Sequence, residues 1–141
     1  MVVSDIMDSM NTKEKGERSV GALIGQLIKR GIPVLMPLGD CLRYDLVIQK
    51  QGVFKSVQCK TAHLAKDGAV LRFKACSQNV LTAERRSYRG EVDFFGVYSP
   101  ELDKSYLVPI SEISGMEAYL RVKPMLRKTT KNQRWGPDFE L

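Results

Sequence analysis

The chain has 141 residues, 43% hydrophobic and 27% charged, with a formal net charge of +6 and a pI near 9.3. That length suits one domain with a real core, and no apolar run approaches the roughly 20 residues that would span a membrane. Three cysteines (Cys41, Cys59, Cys76) without C-x-x-C spacing, and one histidine (His63), exclude a disulfide framework and a zinc site of paired ligands.

Residues 1–12 read as a flexible N-terminus. They hold no basic stretch followed by an apolar one, so no secretory signal is expected and the expected location is the cytoplasm. From Lys13 to Arg30, Val20, Leu23, Ile24, Leu27 and Ile28 recur at helical spacing, and Gly31 stands where glycine ends helices. "IPVLMP" (32–37) reads as a short buried strand, closed by the turn "LGDC". "RYDLVIQKQGVFKSVQCKT" (43–61) reads as a hairpin, and "AVLRFKA" (69–75) as a further strand. "CSQNVLTAERRSYRG" (76–90) is polar and reads as irregular or partly helical. "VDFFGVYS" (92–99) and "KSYLVPI" (104–110) are two more strands across the turn Ser99-Pro100-Glu101. "SEISGMEAYLRV" (111–122) holds a helical turn and a last strand. Beyond Pro124 the chain is polar and basic until Trp135, expected to anchor the tail, and Phe139. A helix followed by a run of strands predicts an α+β sandwich with helices packed on one sheet.

The hairpin carries the chemistry. Side chains alternate across a strand, so Asp45 and Val47 share one face, and Gln58 and Lys60 share a face that Val57 and Cys59 do not. A two-residue turn at Gln51-Gly52 would pair Lys50 with Val53, Asp45 with Gln58 and Arg43 with Lys60. A carboxylate and an amide oxygen so placed suit Mg²⁺, which prefers oxygen ligands, and a nearby lysine can steady charge developing on a phosphate. The same residues are also compatible with a plain Asp45–Lys60 salt bridge on an exposed sheet face.

The positive charge favours an anionic partner, nucleic acid being the commonest. Arg85, Arg86 and Arg89 cluster in one stretch, and Arg121, Lys123, Arg127, Lys128, Lys131 and Arg134 crowd the C-terminal segment. A solvated face with a loose tail is the alternative. Gln78 and Asn79 carry amides suited to adenine edges or phosphates, and His63 reads as a DNA contact or a surface residue rather than a general base.

Several fragments together resemble a known group. They are "KG" at 15–16, Pro37 with "GD" at 39–40, "RYDLVI" at 43–48, "VQCKTA" at 57–62, "SYRGEVDFFGVYSPE" at 87–101, "YLVP" at 106–109 and the ending "NQRWGPDFEL". In order and spacing the chain resembles the PD-(D/E)XK nuclease superfamily, in the branch of bacterial group I intron-encoded homing endonucleases. The resemblance implies a restriction-endonuclease-like α+β fold: a mixed central sheet flanked by helices, with an α-β-β-β-α-β core. Residues 13–123 would form the nuclease-like domain, and 124–141 a basic segment within it or docked on it. It implies DNA cleavage with Mg²⁺ or Mn²⁺, with Asp45, Gln58 and the Cys59 carbonyl as metal ligands and Lys60 as catalytic lysine. Gln58 stands where most of the superfamily has Asp or Glu. The branch usually has a glutamate four residues after the helix-opening glycine, where this chain has Val20; Glu17, one helical turn earlier, is the candidate substitute.

The expected partner is double-stranded DNA, with Arg43, Tyr44, His63, Gln78, Asn79, Arg85, Arg86, Arg89, Lys128, Lys131 and Arg134 as candidate contacts. So small a chain reads a long site as a homo-oligomer, dimer or tetramer, on a pseudo-palindrome. The alternative is a DNA-binding nuclease homologue with weak or lost cleavage, because Val20 replaces the glutamate.

Overall fold

The computed structural model describes residues 10–125 and 133–141. Helix α1 (Thr12–Lys29) starts one residue before the expected Lys13. Asn11 caps it: its side chain accepts from the Glu14 amide at 3.0 Å, and Glu14 answers to the Asn11 amide at 2.8 Å. Leu23 and Leu27 are fully buried, whereas Ile28, on the same expected stripe, is 61% exposed. The helix stops at Gly31, whose φ of 71° is the left-handed conformation glycine adopts most readily.

The hairpin forms in the expected register. Strands β2 (Leu46–Lys50) and β3 (Val53–Thr61) pair with Lys50 opposite Val53 and Leu46 opposite Val57. The turn is Gln51-Gly52, with φ of 52° and 76°. Beside them lie β1 (Val34–Leu35), β8 (Phe94–Ser99) and β9 (Lys104–Pro109), in the order β1-β2-β3-β8-β9. The β3–β8 pair is parallel and the rest antiparallel.

A second sheet runs β11 (Gln133–Trp135), β10 (Glu117–Arg121), β5 (Val70–Lys74), β4 (His63–Leu64). A separate hairpin is made by β6 (Cys76–Gln78) and β7 (Arg85–Ser87). The central sheet thus has two apolar faces. Leu46, Ile48, Val57 and Cys59 meet Leu23 and Leu27 of the helix. Phe95, Val97, Tyr106 and Val108 meet Leu71, Phe73 and Leu120 of the second sheet. Gly96 lets the helix settle on β8: a Cβ there would lie 3.0 Å from Val57 Cγ1 and 3.1 Å from Leu23 Cδ1.

The α+β class and the mixed sheet are as expected; four local expectations need correction. The "IPVLMP" strand is a two-residue edge strand, and Leu35 and Met36 are exposed. Pro33 and Pro37 flank it and cannot donate to a ladder, which keeps it short. The 76–90 stretch is the β6–β7 hairpin, with a single helix-like bond at its tip, from the Ala83 amide to the Asn79 carbonyl. A second α-helix is absent among the described residues, whose other helical segments are the short 3-10 turns Ile110–Glu112 and Gly136–Phe139. Between β8 and β9 the expected turn at Ser99-Pro100-Glu101 forms, pinned by Ser99 Oγ accepting from the Leu102 amide at 3.3 Å. Trp135 is 40% exposed; the C-terminus is held by β11 pairing with β10, by Phe139 packing on the core, and by the Leu141 amide donating to Ser105.

Candidate active site

The site opens where β2 and β3 separate. β3 continues to Thr61 and pairs with β8, but β2 leaves the ladder at Asp45, whose amide donates to the Val57 carbonyl rather than to Gln58. The Cys59 amide is thereby left without a strand partner, and a buried N–H must find one. The Asp45 carboxylate supplies it, Oδ2 accepting at 2.9 Å. The residue that ends the β2 ladder therefore also fixes its own carboxylate beside the edge of β3 that β2 no longer covers.

A cleft of about 570 Å³ lies there. Lys13, Gly16, Glu17 and Val20 of the helix line one side, and Asp45, Gln58 and Cys59 another. Met36, Pro37, Gly39, Asp40 and Tyr44 complete it. The helix is pinned to the end of β3 by Ser19, whose hydroxyl lies 2.6 Å from that of Thr61. Both first-helix candidates reach the cleft: Glu17 is exposed in it, and Val20 lines it while packing against the helix-side core.

Lys60 sits on the other side of the strand from Cys59, on the face it shares with Gln58. Its ammonium donates to the Cys76 carbonyl at 3.1 Å and lies 4.7 Å from the centre of the Tyr88 ring. Burial lowers its pKa below the ordinary lysine value, partly offset by the Asp45 charge. With Lys60 bonded to Cys76 and Asp45 to Cys59, the two do not form the direct salt bridge the sequence also allowed. Burial, reinforced by Asp45, pushes the Cys59 thiol up, so it stays neutral and packs as an apolar side chain.

Arg43 does not sit opposite Lys60 as the register alone suggested, because the chain has already left the sheet. Its guanidinium is bonded to Glu91, to Ser77 Oγ at 2.6 Å and to the Ser87 carbonyl at 2.9 Å, and lies 3.9 Å from the Tyr88 ring centre. Tyr88, buried at 5% exposure, is thus a platform for two cations. Glu91 also pairs with Arg86, and these arginines hold its carboxyl below its usual range. Asp93 ties β8 to β3 through the Ser56 amide at 2.9 Å.

The remaining expected DNA contacts divide. Tyr44 lines the cleft. Gln78 pairs with Arg85 in the β6–β7 hairpin. Asn79 spends its side-chain oxygen on its own turn, accepting from the amides of Leu81 and Thr82 at 2.8 and 3.1 Å. Arg86 is paired with Glu91, and Arg89 donates to the Ile113 carbonyl at 3.2 Å. His63 and Arg134 belong to the second sheet, the first exposed near Glu101 and the second paired with Glu112 at 2.9 Å. Lys128 and Lys131 lie outside the described residues. Sequence reasoning assigned no role to Asp40, Glu91, Ser77 or the Cys76 carbonyl. The fragments "GD" and "SYRGE" contained two of them, but nothing in their spacing told what they would touch.

In this α+β fold an aspartate and an amide line the cleft where two strands part, with a lysine beside them. The family model for PD-(D/E)XK endonucleases matches residues 10–141, and the chain belongs to that family. Among solved structures it is similar to a bacterial homing endonuclease, I-Ssp6803I, at 27% identity and a TM-score of 0.67. That match covers 94% of this chain and 88% of the other. No curated protein sequence matches. Among the described residues no helix is long and apolar enough to cross a membrane.

Proposed function

We propose that the chain is a site-specific, homing-type endonuclease that hydrolyses phosphodiesters of double-stranded DNA with Mg²⁺ or Mn²⁺. The observation that carries this reading is the convergence of Asp45, Gln58 and Cys59 on one cleft, with Lys60 on the adjoining strand face, in a chain of an endonuclease family. The donors that would serve are all oxygens: Asp45 Oδ1, the Gln58 amide oxygen and the Cys59 carbonyl, which accepts from Gln58 Nε2 at 3.5 Å and would exchange that contact for the ion; such a set suits a hard cation that keeps several waters. Such a cation, when bound, acidifies a coordinated water and neutralises charge building on the phosphate. Asp45 is held for this by the Cys59 amide. Lys60 places its positive charge beside the site, and Tyr88 and Cys76 restrict where that charge can go.

The second reading, a DNA-binding homologue with weak cleavage, also has an observation behind it. No group of three Asp, Glu, His or Cys side chains among the described residues is placed to hold a metal ion together, so Glu17 and Asp40, though they line the cleft, do not join Asp45 in a ready-made ligand cluster. Val20 lines the cleft where a glutamate would add negative charge.

Incubating the protein with a complex DNA library, in Mg²⁺ or EDTA, and sequencing the ends separates the two: recurrent Mg²⁺-dependent ends support the nuclease, and their absence with DNA retained favours the homologue. Val20→Glu is expected to raise Mg²⁺ affinity and cleavage, and Lys60→Ala in that background to abolish the gain. If Glu17 already serves, Glu17→Ala removes activity and Val20→Glu adds little. We place the chain in the cytoplasm, acting as two or four copies on a pseudo-palindromic site.

A further inference from the structure

The β6–β7 hairpin ends in the most exposed apolar pair of adjacent residues among those described: Val80 is 96% and Leu81 95% exposed. The tip is nonetheless built to one shape. Asn79 closes it through its side-chain oxygen, its amide donates to the Glu84 carbonyl at 2.9 Å, and it accepts from the Ala83 amide at 2.9 Å. Ala83 holds a φ of 58°, a conformation few non-glycine residues adopt. Two large apolar side chains held side by side on a fixed turn are shaped to enter an apolar space on a partner.

The base of the hairpin is tied to the candidate active site, although it does not line the cleft. Lys60 holds the Cys76 carbonyl on one strand, and Arg43 holds Ser77 on that strand and the Ser87 carbonyl on the other. Whatever phosphate Lys60 faces, the tip lies near the same molecule. Val80 lies four positions beyond Cys76, a reach of at most about 13 Å at ~3.3 Å per residue, or about four base pairs of duplex at ~3.4 Å each.

We infer that Val80 and Leu81 form an apolar wedge that enters the DNA duplex a few base pairs from the Lys60 site and unstacks a base step there. The inference rests on the DNA-cleaving reading above. Charge favours DNA as the occupant: Arg85, exposed on the strand that leaves the tip, suits the phosphates flanking a wedged step, while its neighbour Arg86 is paired with Glu91. Area disfavours a second protein: a stable interface buries roughly 800 Å² on each partner, far more than two side chains on a narrow turn can offer.

The test uses the full chain and a plasmid relaxed by a type IB topoisomerase in EDTA, which suppresses metal-dependent cleavage. An unstacking wedge unwinds the duplex, so the native protein is expected to shift the topoisomer ladder in proportion to its bound amount. Val80→Ser/Leu81→Ser, two exposed changes that leave the fold intact, is expected to lose the shift when compared at equal occupancy of the plasmid. An equal shift from native and variant, or no shift from native protein that binds, overturns the wedge while leaving the endonuclease reading standing. A variant that sediments as a smaller assembly with an unchanged ladder overturns it in favour of a protein contact. Failure of the native protein to bind the plasmid at low salt overturns both readings together.

Discussion

Two hairpins meet at the candidate site and are held by opposite means. The β2–β3 hairpin is fixed by burial: Leu46, Ile48 and Val57 have no exposed surface and pack under Leu23 and Leu27. The β6–β7 hairpin presents only Cys76 to the interior and has three exposed residues in β7. It is fixed by cations, Lys60 on Cys76 and Arg43 on Ser77, Ser87 and Glu91, gathered over Tyr88. Apolar burial is non-directional and tolerant, whereas a polar clamp depends on each partner. The same two cations therefore join the rigid hairpin, which carries Asp45, Gln58 and Lys60, to the hairpin that projects from it.

This contrast can be broken from several sides. Lys60→Ala strikes both regions, and the largest effect is expected there: a loss of cleavage of about a hundredfold or more, with faster amide exchange in Cys76–Gln78. The pH profile sharpens it. Because the Lys60 pKa is lowered, its charge is present below that value and lost as pH rises through it, so cleavage should decline at lower pH than an ordinary lysine would give. The stability term has the opposite sign. Between the lowered folded value and the ordinary 10.5 the unfolded chain holds more protons, so this group makes stability rise with pH there.

Leu46→Ala tests the buried hairpin alone. Truncating a fully buried leucine should cost about 2–5 kcal/mol of global stability, read as a lower denaturation midpoint with m unchanged.

Glu91→Gln tests the clamped hairpin alone. The native Glu91 pKa is depressed by Arg43 and Arg86, so its contribution is present above the ordinary carboxylate range and fades as pH falls through the depressed value. Amide protection in β6–β7 should weaken on acidification in the native protein. In Glu91→Gln it should be weak already and should not change over that range. A pH-dependent loss of equal size in both would assign the clamp to another group.

The smallest stability effect is expected at the tip. Leu81→Ser should change global stability by no more than about 0.5 kcal/mol, since the side chain touches little in the fold. A larger loss would show that the tip is packed in solution.

Much of the β2–β3 half was legible before folding. Alternation fixed which residues of 46–61 face inward, and Gln51-Gly52 fixed the turn, so the Lys50–Val53 register followed from local chemistry. The helix stripe and its glycine stop were local too. Less was visible where polar contacts between distant residues decide. Residues 76–90 have little apolar periodicity, so nothing local distinguished a clamped hairpin from an irregular stretch; Arg43 reaches Ser77, 34 positions away, and Glu91, 48 away. Arg43 was expected opposite Lys60 because pairing arithmetic assumes a ladder that continues. The ladder ends at Asp45, whose carboxylate satisfies the unpaired Cys59 amide.

Sequence by itself determined the α+β class and the core hairpin with its register, because these follow from periods of two and 3.6 and from turn chemistry acting over a few residues. Only the tertiary structure decided that Val20 and Glu17 share a cleft with Asp45, that Lys60 rests on Tyr88 instead of pairing with Asp45, and that Val80 and Leu81 stand in solvent. Those outcomes depend on which strand runs longer and which buried amide or amine still lacks a partner, and such a balance is settled only when the distant segments have packed.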